Sequence, residues 1–154
     1  MSFDPTFDHH LRDLEQQLCD AHTITPVLMR DLIAQACPRF RAQNPAAKAK
    51  VLQLVDSGAF ADATLALVAL ELPPWRLRRL IHDEGEWHCA FSKELGVPIE
   101  LDEMAEATHA VLPLAMLGAL LEACRHGLPA AVPFSTAAAR EPAAGHAICC
   151  DNFA

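Results

Sequence analysis

Proline is the feature that most limits how this chain can fold. Pro5, Pro26, Pro38, Pro45, the pair Pro73-Pro74, Pro98 and Pro113 punctuate the first 127 residues. Each lacks an amide hydrogen, and inside a helix its ring collides with the carbonyl one turn back. Helices must therefore fit between these points or kink at them. Three of the prolines follow a residue suited to capping, in Asp4-Pro5, Thr25-Pro26 and Asn44-Pro45. A cap oxygen satisfies one free amide, and proline at the first helical position sacrifices an amide that would be unpaired anyway.

Apolar spacing fills the intervals. Phe7, Leu11, Leu14 and Leu18 recur at helical spacing and predict a first helix over about 8–21. Val27, Leu28, Leu32, Ile33 and Ala36 mark the face of a second, which Pro38 stops, and Val51, Leu52 and Val55 mark a third, with Gly58 just past its end. From Phe60 to Leu72 the residues are apolar nearly all round, as in a central helix covered by its neighbours. Beyond Asp102 a helical pattern runs through Met104, Ala107, Val111, Leu114, Leu117, Leu120, Leu121 and Cys124, and Pro113 must kink or divide it. Arg125 and His126 suit its negative end, and Gly127 closes it.

The segment between, PWRLRRLIHDEGEWHCAFSK, alternates instead. With Asp83-Glu84-Gly85 as a three-residue turn, His82 falls opposite Glu86, Ile81 opposite Trp87, Arg79 opposite Cys89 and Leu77 opposite Phe91. Those apolar pairs then share one face with Trp75, while Arg76, Arg78, His82, Glu86 and His88 share the other. The expected fold is a mainly helical α+β domain over 1–127, with about five helices and one β-hairpin at about 75–92 before the last long helix. Residues 128–154, with their prolines and alanine runs, are expected to form an extended arm.

Composition bounds the function. A chain of 154 residues, 52% hydrophobic and 21% charged, fits one soluble globular domain. Net charge is −8 with scattered basic residues, which argues against a nucleic-acid partner. The longest apolar stretch, AFADATLALVALEL, is broken by Asp62 and closed by Pro73-Pro74, too short for a membrane span. The acidic start has no basic segment leading into an apolar one, so a cytoplasmic location is expected. In that compartment the six cysteines, none in a CxxC pair, read as reduced and mostly buried thiols.

Two chemistries are open to the hairpin. His82, Glu86 and His88 on one face, with His109 from the following helix, make a set that could hold zinc or iron. The same residues serve equally as the solvated side of a hairpin. Glu106 and His109 have the ExxH spacing of di-iron helices, in one copy where two are needed. Trp75, Trp87 and Phe91, on the apolar face, are either core or an adhesive surface for a protein partner. Cys149, Cys150 and His146 form a further thiol and imidazole cluster near the end. No GxSxG, P-loop, GxGxxG or HExxH motif occurs. The expected function is a non-catalytic cytoplasmic interaction or regulatory protein without a cofactor, binding a protein partner or itself. The alternative is a metal-binding protein or small metal-dependent enzyme using the hairpin histidines.

Overall fold

The computed structural model describes residues 5–127. Cap and proline start the helices where the sequence places them. Helix α1 spans Pro5–Asp20, α2 Pro26–Ala36, α4 Pro45–Asp56 and α5 Phe60–Glu71. Thr25 Oγ1 accepts the Leu28 amide at 3.2 Å and Asn44 Oδ1 accepts the Ala47 amide at 2.8 Å. Gly58, at φ 78°, takes the left-handed conformation that lets the chain leave α4. The extended arm expected at 128–154, with Cys149, Cys150 and His146, lies outside the described residues.

One short helix, α3 (Pro38–Arg41), has no counterpart in the sequence reading. Pro38 ends α2 and at once begins the next turn. Its cap residue, Cys37, offers no side-chain bond, and the capping oxygen comes from a distant residue instead: Glu71, at the end of α5, accepts the Phe40 amide at 2.7 Å. A tertiary cap of this kind leaves no local signature.

After Pro73-Pro74 the hairpin forms as β1 (Arg76–Asp83) and β2 (Glu86–Ser92), ahead of the last long helix. Its turn is shorter than the sequence reading has it. Asp83 pairs with Glu86, leaving Glu84-Gly85 as a two-residue turn with both φ angles positive, 48° and 85°. This primed turn geometry matches the twist of the flanking strands. His82 therefore lies opposite Trp87, Ile81 opposite His88, Leu80 opposite Cys89 and Arg79 opposite Ala90. A bulge between Leu77 and Arg79 takes up the extra residue, so Leu77 meets Phe91 as expected. A one-residue slip exchanges faces, and here it does so only on β1 between the bulge and the turn.

The second correction lies after the hairpin. Residues 105–109, expected to be helical, form β3 (Ala105–His109), antiparallel to β2, giving a three-stranded sheet in the order β1-β2-β3. Apolar positions three and four apart over so short a run fit either period, and β2 offered an open edge. Pro113 sits in the first turn of α6 (Leu112–His126) and divides the pattern rather than bending it. Helix α6 packs across the inner face of the sheet, with α1 and α5 beside it. Phe91, Cys89 and Ala105 from the sheet are buried there with Leu114, Leu117 and Leu121. Gly118 marks the close approach, since a Cβ added to it would lie 2.8 Å from the Ala107 Cβ.

Candidate functional site

The register decides what the hairpin histidines can do. His82 and His109 lie on the inner face, on either side of Trp87, whereas Glu86 and His88 lie on the outer face. The four groups proposed as metal ligands are thus split two and two by the sheet itself. His82 stacks obliquely on Trp87 at 4.7 Å between ring centres, the contact expected of Ile81. His109 Nδ1 accepts the Val111 amide at 2.9 Å, which ties the strand end to α6, and His88 Nδ1 meets Thr108 Oγ1 at 3.1 Å on the outer face. Glu106 and His109, three apart on a strand rather than a helix, also point to opposite sides. Among the described residues no group of three or more His, Cys, Asp or Glu side chains is placed to hold a metal ion.

The outer face is polar in a specific way. Arg79 and Glu106 flank the buried Ala90 and join over it, Nη2 to Oε1, at 2.9 Å. Both are about half exposed or less, so the pair contributes on the order of 0.2–1 kcal/mol. At the far end Asp102 accepts the Ser92 hydroxyl at 2.5 Å, and the Arg78 guanidinium, freed by the bulge, donates to the carbonyls of Leu95 and Val97. The bulge thereby anchors the loop that crosses from β2 to β3. These polar groups are occupied with holding the fold.

The aromatic residues divide between core and surface. Trp75 and Phe91 are buried, and Trp87 is half-buried. Above Trp75 and Phe91, however, runs an apolar groove of about 420 Å³ between α5, β1 and the loop after β2. Its exposed leucines come from three separate elements: Leu65 of α5 at 39%, Leu77 of β1 at 36% and Leu95 of the loop at 49%. Val68 and Ala69 complete the apolar wall, and Arg76 stands at the rim. Scattered exposed leucines are ordinary, but three around one groove make a patch of the sort that partners cover. The sequence places Leu77 on the hairpin's apolar face without marking it as a surface residue, and the convergence of 65, 77 and 95 depends on how α5 and the loop pack.

Trp75 also lines a cavity of about 260 Å³ at the junction of α2, α3, α5 and α6. Glu71, only 4% exposed, lines it, as do Cys124, Phe7 and Trp75. Lys93 reaches over the Trp75 ring, its Nζ 4.9 Å from the ring centre. The thiols nearby are held in the protonated form: burial pushes Cys124 up to about 12, with Glu71 adding to it, and raises Cys37 well above its usual value with help from Cys124 and Glu71. Burial alone takes Cys89 to about 12, as befits a small hydrophobe beneath the sheet.

Comparison of the chain with protein-family models, with curated proteins and with solved structures gives no match.

Proposed function

We propose that this protein is a small, non-catalytic interaction or regulatory protein of the cytoplasm that associates with a second copy of itself through the β1 side of its hairpin. The observation that carries this reading is the groove of Leu65, Leu77 and Leu95. Its walls are apolar, and it lies beside β1, which is an edge strand of the sheet. An edge with unpaired backbone groups next to an apolar trough is a surface that the described residues leave uncovered. A two-fold axis there would set trough against trough, so that each copy covers the leucines of the other, as closed dimers generally do.

No helix among the described residues is long and apolar enough to cross a membrane, and the net charge of −8 disfavours polyanionic partners, so a protein partner is the reading consistent with both. Light scattering on the full chain tests the proposal. It should give twice the chain mass at micromolar concentration, falling to one chain mass in Leu77→Asp with helical content retained. A wild-type chain of single mass throughout that range would overturn self-association and leave a different protein as the occupant of the groove.

A further inference from the structure

Glu71 is a buried carboxylate, only 4% exposed. A buried carboxylate is costly unless it is paired or hydrogen-bonded. Among the described residues its one hydrogen-bond partner is the Phe40 amide at 2.7 Å, and none of the ion pairs includes it. The amide bonds Oε2; the other oxygen, Oε1, is not among the buried atoms left without a partner and is open to the cavity that Glu71 lines. Capping α3 does not by itself require a charged side chain, since a glutamine oxygen at the same place would accept the same amide.

The cavity's remaining polar side chains have the opposite sign. Arg39 and Lys93 are both exposed and line the same space, whose walls are otherwise apolar, with Phe7, Leu72 and Trp75. An acid at the floor and two bases at the rim form a dipolar site. At about 260 Å³ it is smaller than the cavities that hold drug-sized ligands, which begin near roughly 300 Å³. A simple cation would satisfy Glu71 but be repelled at the mouth, and a simple anion would be drawn to the mouth but be repelled by Glu71. A small zwitterion meets both.

We propose that this cavity binds a free α-amino acid with an apolar side chain, its ammonium group on Glu71, its carboxylate on Lys93 and Arg39, and its side chain along Trp75 and Phe7. The site shares only Trp75 with the lining of the apolar groove, and the proposal stands independently of self-association. Binding requires no covalent step. Specificity would come from the two charged ends, the Glu71 contact being made where water is partly excluded and so stronger than on an open surface.

Isothermal titration of the full chain with L-leucine tests this, alongside two truncated probes: 3-methylbutylamine, which lacks the carboxylate, and 4-methylpentanoate, which lacks the ammonium. Saturable binding of leucine is expected, weakened by roughly tenfold or more in each truncated probe, the scale of one lost charge-assisted hydrogen bond. Glu71→Gln keeps an acceptor for the Phe40 amide and should bind leucine no better than 4-methylpentanoate. Lys93→Met, at an exposed position, should bind leucine severalfold more weakly, with Arg39 still holding the carboxylate, and it decides the matter if Glu71→Gln does not fold. Absence of saturable leucine binding, or leucine affinity unchanged in either folded variant, would overturn the proposal.

Discussion

Replacing Gly118 by alanine sets two effects against each other on the face where α6 meets the sheet. In an exposed helix the change stabilises by about 1 kcal/mol, because alanine loses less backbone freedom than glycine. Here the new Cβ would stand 2.8 Å from the Cβ of Ala107, where carbon atoms prefer about 3.5–4.0 Å. Ala107 has no side-chain torsion with which to yield. Helix and strand must therefore part by about 1 Å, a gap that forfeits a quarter to a half of each dispersion contact along the interface. Overpacking of this kind costs about 1–3 kcal/mol, so the net expectation is a destabilisation of about 1 kcal/mol, up to about 2. Urea unfolding with an unchanged slope measures it. The double variant Gly118→Ala/Ala107→Gly removes the collision and should be no less stable than Ala107→Gly alone, a coupling that additivity would not give. Gly118→Ala more stable than wild type by about 1 kcal/mol would refute the close approach.

Other substitutions test other links. Gly85→Ala should destabilise by about 1–2 kcal/mol and Glu84→Asn should stabilise by a few tenths, since both turn positions have positive φ and asparagine tolerates it best; chemical denaturation reads both. Thr25→Ala should cost about 1 kcal/mol through the lost cap of α2, seen as a shift in the urea midpoint. Stability should fall above about pH 9. There the unfolded thiols ionise while Cys89 and Cys124, raised to about 12, keep their protons in the folded state; each raised thiol stabilises below pH 9 and loses that contribution as pH climbs towards 12. Cys89→Ala should flatten that decline by about 1.4 kcal/mol per pH unit. Among Cys19, Cys37, Cys89 and Cys124, only Cys19 is exposed and should react with an alkylating reagent in the native state, as peptide mass mapping would show.

The parts of the fold legible in the sequence are those whose causes are local. Thr25-Pro26 and Asn44-Pro45 begin helices because cap and proline act within one turn, and Gly58 ends one because left-handed backbone favours glycine. The hairpin was legible from its alternation, and the pairing of Leu77 with Phe91 survived. The register at its tip was not, because Asp-Glu-Gly suits a three-residue turn as well as a two-residue one, and the bulge that reconciles the two ends lies five residues away at Arg78. That single step moved His82 away from Glu86 and His88 and dissolved the proposed ligand set. Residues 105–109 read as helix because alanines and single apolar residues at mixed spacing do not discriminate; the free edge of β2 did. Glu71 carried no signal at all, since its burial and its bond to Phe40 come from the meeting of α3 and α5, 31 residues apart in sequence.

The central claim is that the trough beside β1 is covered in solution by a second copy of the chain. Amide hydrogen exchange measured on the full chain at two protein concentrations, one below and one above the association midpoint, tests it most directly. Slower exchange at the higher concentration is expected in Arg76–Asp83 and in the peptide carrying Leu65, with Ala105–His109 unchanged. Protection that rises only at Ala105–His109, or does not depend on concentration anywhere, would contradict it.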